Sequence, residues 1–135
     1  MGFIDKVATK SKSAMKRADS KMGESIDVGK IKSKISDEKN KVKENYMNIG
    51  KKYYKYSKDG SPELMGEIED LVAAIDESRK LIEQYEAEIE TVKAKGKEER
   101  EGIRAQADAE LAQKEAAKAE AAKEAEAKDD DDLFD

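Results

Sequence analysis

Large apolar residues recur every seven positions in two long stretches, one on each side of a short glycine–proline segment. The first stretch carries one such row, made of Val28, Ile35, Val42, Ile49 and Tyr56. The second carries two parallel rows, made of Ile68, Ile75, Ile82 and Ile89 and of Leu64, Leu71, Tyr85 and Val92. Spacing that alternates between three and four residues is typical of α-helices in a coiled coil.

The segment KDGSP between the stretches has the residues of a helix–turn–helix junction. Gly60 suits the left-handed conformation that follows a helix. Ser61 is a favourable N-cap, and Pro62 fits the first position of the next helix. The sequence therefore predicts helices over 28–57 and 62–94, joined by a turn at 58–61.

Folding the chain back at this turn brings the apolar rows into register. Tyr56 then lies opposite Leu64, and Ile35 lies opposite Tyr85. The charges agree, because residues 28–58 carry 10 Lys against 3 acids and residues 59–95 carry 4 Lys or Arg against 11 acids. The predicted fold is an all-α, antiparallel two-helix coiled-coil hairpin, with an N-terminal amphipathic helix and a C-terminal Ala/Glu/Lys-rich tail that is helical or disordered.

The hairpin core is predicted to include residues beside these rows as well as within them. The full set is Val28, Ile31, Ile35, Val42, Tyr46, Ile49, Tyr53, Tyr56, Leu64, Ile68, Leu71, Ile75, Ile82, Tyr85, Ile89 and Val92. A two-helix hairpin covers only one side of each of these residues, so we expect a further packing event, either self-association or the docking of a third helix.

Four tyrosines lie among lysines in residues 45–62, a combination that single-strand nucleic-acid binders also use. The heptad spacing places three of them, Tyr46, Tyr53 and Tyr56, toward the core. The facing arm is acidic. Core packing is therefore the favoured interpretation, and nucleic-acid binding is the less favoured one.

Residues 1–23 form a basic amphipathic segment before the hairpin, which we assign to residues 24–96. In this segment six Lys or Arg outnumber Asp5 and Asp19. The face that could contact an anionic membrane consists of Phe3, Ile4, Val7 and Met15. A flexible or bundle-capping segment is the favoured interpretation and membrane contact the less favoured one, and Gly23 and Gly29 are expected to loosen the connection of the segment to the hairpin.

Residues 97–128 are rich in Ala, Glu and Lys and follow an expected interruption at Gly96 and Gly102. We interpret them as a solvated helical spacer, because few large apolar residues offer a face to bury. Residues 129–135 form an acidic tip, in which a partner-binding motif would consist of Asp131, Asp132, Leu133 and Phe134. A solubilising tail is the alternative interpretation.

Cysteine and histidine are both absent, which removes thiolate chemistry, the commonest general base and the commonest metal ligand. Carboxylates are plentiful, but they fall on exposed helical faces, and no phosphate-binding glycine loop is present. No apolar run approaches the ~20 residues that a membrane span needs. We therefore expect a cytoplasmic protein, or one peripheral to the inner membrane face, that is not an enzyme and uses no cofactor or metal.

Three stretches of the chain are informative when taken together: MGFIDK at the start, KIKSKISDEKNKVKENYMNIGKKYYKY in the first arm and IDESRKLIEQYEAEIETVKA in the second. In combination they resemble a group of small prokaryotic zinc-ribbon proteins. The resemblance covers residues 1–95 and implies a helical hairpin followed by an Ala/Glu/Lys spacer. In that group a cysteine-rich zinc ribbon follows the spacer. This chain has no cysteine, so zinc binding is not implied for it.

The sequence favours a non-enzymatic coiled-coil scaffold or adaptor. Such a protein would self-associate through the hairpin and present its acidic tail to a protein partner. The alternative is a peripheral membrane-associated coiled-coil protein, bound through the basic N-terminal helix.

Overall fold

The computed structural model describes the backbone of residues 2–133 and the side chains of residues 2–126. Helix α1 spans Phe3–Asp59 and helix α2 spans Pro62–Leu133, and this described part contains no strand. The helices pack against each other as a hairpin, which confirms the predicted all-α fold class. The chain divides into two compact units: the hairpin unit, Glu24–Ala94, and the terminal unit, which joins the residues up to Gly23 with those from Lys95 onward.

The turn between the helices is built as the sequence predicts. Gly60 has a φ of 65°, in the left-handed region that disfavours residues with a side chain. Its backbone N–H donates to the carbonyl of Tyr56 at 2.7 Å. The N–H of Leu64 donates to the carbonyl of Ser61 at 3.2 Å, and helix α2 begins at Pro62. These bonds satisfy backbone groups that helix ends otherwise leave unpaired.

The core of the hairpin unit lies where the seven-residue rows meet. One buried cluster contains Val28, Ile31, Ile35 and Ile89, with Ile82, Tyr85 and Val92 packed against it. Ile68 and Ile75 are also buried, and the half-buried members of the predicted core are Val42, Ile49, Tyr56, Leu64 and Leu71. Lys52 contacts Glu67 at 2.8 Å across the helices, one residue from the predicted register.

Two members of the predicted core are exposed. Tyr46 is 49% exposed and Tyr53 is 61% exposed, so their assignment to the core was wrong. The inward positions between the apolar residues of α1 belong instead to Glu38, Asn45 and Lys52. A residue one position further along is rotated by about 100° around the helix, which turns both tyrosines to the side of the seam.

The helices also extend beyond their predicted ends. Helix α1 continues through Gly23 and Gly29, and α2 continues through Gly96 and Gly102, so none of these glycines interrupts a helix. A glycine inside a helix costs only about 0.5–1 kcal/mol relative to alanine. Neighbouring residues with high helix propensity, together with packing between the helices, offset a cost of that size.

The terminal unit has an inward face that the sequence analysis did not predict. On α2 it contains Ile103, Ala107, Leu111 and Lys114, all half-buried, so residues 97–128 are not a wholly solvated spacer. Along α1 the inward positions are Thr9, Ser13, Arg17 and Ser20. Spacings of four, four and three give an 11-residue repeat, unlike the heptads of the hairpin unit.

A polar layer interrupts the apolar seam in the hairpin unit. Glu38 is only 8% exposed, and Ser78 is buried on the facing helix. The hydroxyl of Ser78 donates a hydrogen bond to the Glu38 carboxylate, and this bond, followed by the one from Lys41, lowers the pKa of Glu38. Lys41 Nζ lies 3.0 Å from Glu38 Oε1. A buried carboxylate with these partners stabilises the hairpin only while it is ionised.

The stability of the hairpin should therefore depend on pH through Glu38. Because folding lowers its pKa, its contribution is complete above the ordinary glutamate pKa of about 4.3 and is lost as the pH falls through the folded-state value. We expect the difference in thermal midpoint between the wild type and Glu38→Gln to shrink on acidification from pH 7 to pH 3. The measurement is circular dichroism at 222 nm, and parallel pH profiles for the two proteins would contradict the assignment.

Candidate functional site

Residues 3–22 of helix α1 pack their polar side against the C-terminal part of α2. Thr9 is 7% exposed and Ser13 is 6% exposed. Lys114 Nζ donates to Thr9 Oγ1 at 3.2 Å. Lys6 Nζ lies 2.6 Å from Glu115 Oε1, and the hydrogen bond and charge of Lys6 lower the pKa of Glu115. The contacts that hold this segment are therefore mainly polar.

The apolar side of the same segment faces solvent. We define the outer face by its large exposed residues, Phe3, Ile4, Val7, Met15 and Met22. Phe3 and Ile4 are both 81% exposed, and Met15 is 69% exposed. With about 100° between successive residues, these positions fall within roughly a third of the helix circumference. Apolar side chains thus line one side of the helix with no cover from the described residues.

Small and basic residues complete the surroundings of the outer face. Ala8, Ala14 and Ala18 lie between its large residues on the same side of the helix. Lys10, Lys12 and Lys16 are exposed at its two edges. Residues 3–22 carry six basic and two acidic groups. The arrangement is an apolar surface bordered by positive charge.

The structure places the predicted membrane-facing residues together. Phe3, Ile4, Val7 and Met15 share the outer face, and all four are exposed. The burial of Thr9 and Ser13 on the opposite side was not predicted from the sequence. Their spacing of four residues is a signal for this burial, but a search restricted to heptads of large apolar residues passes over it.

The predicted tail motif lies at the limit of the described residues. Helix α2 includes the backbone of Asp131, Asp132 and Leu133, whose side chains are not described. Phe134 lies outside the described residues. The assignment of this motif to partner binding stays a prediction.

Among the described residues, no cluster of three or more acidic, cysteine or histidine side chains is arranged to hold a metal ion. None of their helical stretches has the length and apolar character required to cross a membrane.

Comparisons with protein-family models, with curated proteins and with solved structures give no match to this chain. The resemblance to zinc-ribbon proteins therefore stays a prediction.

Buried polar residues on the inner side of the terminal unit allow its thermal stability to be raised by substitution. Ser13 is buried and lines the same groove as Ile103 and Ala107. Replacing it with leucine should raise the thermal midpoint of the full chain, because apolar contact replaces a buried hydroxyl. Ala14→Leu, at an exposed neighbouring position, is the control and should leave the midpoint nearly unchanged. A midpoint for Ser13→Leu equal to that of Ala14→Leu would contradict the burial of this side against α2.

Proposed function

We propose that this chain is a non-enzymatic coiled-coil protein that binds an anionic membrane surface through the outer face of α1. One observation carries the proposal: the apolar side of residues 3–22 faces solvent, while their polar side packs inside the terminal unit. In an ordinary amphipathic helix of a folded domain, the apolar side would be the buried one. A second, apolar environment outside the chain accounts for the reversed orientation.

The composition of the outer face suits the lipid interface. An interfacial helix places apolar residues about 5–10 Å into the boundary between headgroups and acyl chains and keeps basic residues at the headgroups. Each large apolar side chain contributes about 1.5–3 kcal/mol if it is fully buried, and each lysine near an anionic surface contributes about 1 kcal/mol. Phe3, Ile4 and Met15 supply the first contribution, and Lys10, Lys12 and Lys16 supply the second.

The proposal includes a cytoplasmic location at the inner face of the membrane. Anionic lipids give the cytoplasmic leaflet a negative surface potential that attracts basic segments. The acidic character of α2 supports binding through α1 alone, because residues 59–135 carry 25 acids against 11 Lys or Arg. An anionic surface would attract the start of α1 and repel most of α2.

Vesicle co-sedimentation tests the proposal. The full chain should bind vesicles of phosphatidylcholine with phosphatidylglycerol more tightly than vesicles of phosphatidylcholine alone, and added salt should weaken the binding. Met15→Glu and Ile4→Glu should each weaken binding at least about tenfold, because an added carboxylate must be desolvated and faces like charges at the surface. Circular dichroism should show that both variants remain helical.

A matched control distinguishes the effect of a negative charge on the outer face from the effect of a negative charge added elsewhere on the chain. Ala116→Glu adds the same charge at an exposed position of the terminal unit on α2. It should leave binding within about twofold of the wild type, a change of under ~0.5 kcal/mol. Absence of binding to anionic vesicles would refute the proposal, as would equal losses for Met15→Glu and Ala116→Glu.

A second candidate function is the self-associating scaffold or adaptor predicted from the sequence. The observation that favours it is the thin core of the hairpin unit, where the buried side chains still keep several per cent of their surface exposed. A partner would complete the cover of such a core. Presentation of the acidic tail to a protein partner belongs to this candidate and rests on sequence alone.

A further inference from the structure

One side of the hairpin unit carries exposed aromatic and apolar residues near the turn. We call this surface the aromatic side and define it by Tyr46, Met47, Gly50, Tyr53 and Tyr54 on α1 and by Met65 and Val72 on α2. All of its large residues are exposed, from 38% for Met65 to 67% for Tyr54. Six large exposed residues in one region are more than the scattered apolar residues of an ordinary surface.

A hydrogen bond shows that both helices contribute to this side. Arg79 Nη2 donates to the hydroxyl of Tyr46 at 2.9 Å, which places Arg79 beside Tyr46. Val72 and Met65 lie seven and fourteen residues before Arg79, so they follow the same side of α2 toward the turn. Tyr53 lies seven residues after Tyr46 and follows the same side of α1.

Another region of the hairpin unit has a different character. A polar groove near the turn is lined by Lys51, Lys55 and Glu63, and within it Lys52 pairs with Glu67 at 2.8 Å. Its lining holds three lysines and three acids. The aromatic side therefore stands out as the surface whose residue types match protein interfaces, which are enriched in tyrosine and methionine.

Charges on the aromatic side indicate which surface would cover it. On α1, Lys39 and Lys43 continue the spacing of Tyr46 and Gly50. On α2, the acids Glu69, Asp76 and Glu83 alternate with Met65, Val72 and Arg79 at spacings of four and three, and all three acids are exposed. The α1 part of the surface is therefore basic, and the α2 part is predominantly acidic.

We infer that the aromatic side is the interface between two copies of this chain, with α1 of each copy packed against α2 of the other. A two-fold axis makes such an interface isologous, so that each basic α1 part meets an acidic α2 part twice. Pairing α1 with α1 would place lysines against lysines. Opposite charges select the pairing, and the aromatic and apolar residues supply the area that leaves water. The inference rests on the second candidate function and does not depend on membrane binding.

Gly50 gives a way to test the interface without damaging the hairpin. A Cβ added at Gly50 meets nothing within 4 Å, so a larger residue fits the single chain. Lysine favours a helix over glycine, so Gly50→Lys should not destabilise the monomer. In the dimer the new side chain would occupy the centre of the interface and hold the two copies apart. Gly102→Lys is the control, at another exposed helical glycine with nothing within 4 Å of an added Cβ.

Sedimentation equilibrium of the full chain without lipid gives the readout. The wild type and Gly102→Lys should show a monomer–dimer equilibrium at chain concentrations up to roughly 100 µM, well above a micromolar Kd. Gly50→Lys should weaken dimerisation at least about tenfold and leave the thermal midpoint equal or higher. A wild type that stays monomeric, or a Gly50→Lys variant that dimerises as the wild type does, would overturn the inference.

A charge swap tests the pairing of α1 with α2. Lys43→Glu and Asp76→Lys should each weaken dimerisation, because each places like charges across both contacts. Mixing the two variants should restore a dimer, since every contact then joins opposite charges again. If contact were between the two α1 helices, Asp76→Lys alone would dimerise as the wild type does, and that result would overturn the pairing of α1 with α2.

The same samples separate this inference from its alternatives. Dimerisation of Met15→Glu that equals dimerisation of the wild type would support the interface, whether or not the lipid proposal holds. The chain could instead bind a single-stranded oligonucleotide in a way that requires Tyr54 and form no dimer without the oligonucleotide. That result would assign the aromatic side to nucleic acid and overturn the inference. Fluorescence anisotropy with a labelled oligonucleotide provides that measurement.

Discussion

The apolar seam between α1 and α2 is the interaction on which the other features of the hairpin unit depend. Val28, Ile31 and Ile35 meet Ile89 in its best-buried part, and the left-handed Gly60 allows the chain to reverse so that they can meet. A slip of one residue would rotate each helix by about 100° relative to the seam and expose these side chains. The polar layer at Glu38 and Ser78 adds a second constraint, because the carboxylate finds its hydrogen bond only in this alignment.

Once the seam is aligned, the remaining surfaces of α1 acquire definite roles. In the hairpin unit, the residues beside the seam include Tyr46 and Tyr53, which turn outward and form part of an aromatic surface. Within the terminal unit, Thr9 and Ser13 turn inward and leave Phe3, Ile4 and Met15 in solvent. The outer face lies on the basic start of α1, which suits an anionic partner, whereas the aromatic side joins a basic α1 part to an acidic α2 part, which suits a second copy of the chain. The proposed functions thus use two apolar surfaces that the described part of the chain leaves uncovered.

The sequence was sufficient to predict the turn at Gly60, the two helices and most of the seam, because heptads of large apolar residues are a strong and local signal. It was insufficient to predict that Tyr46 and Tyr53 are exposed. The polar residues Glu38, Asn45 and Lys52 lie at the inward positions, and a search for apolar residues selects the neighbouring tyrosines instead. It also failed for Ser13 and Leu111, where the repeat changes to 11 residues and the inward side chains are small or polar. The N-terminal segment was recognised as amphipathic from its sequence, but only the structure shows that the apolar side of this segment lies away from α2.

The distance between the two helices within one molecule tests the central claim most directly. The chain has no cysteine, so Lys43→Cys and Asp76→Cys provide the only two sites for nitroxide labels. Double electron–electron resonance, with the labelled chain diluted in unlabelled protein, should give a short intramolecular distance, because packed helices lie about 8–10 Å apart. A distance near 50 Å, which about 1.5 Å per residue gives for an unfolded-back helix over this interval, would contradict the hairpin.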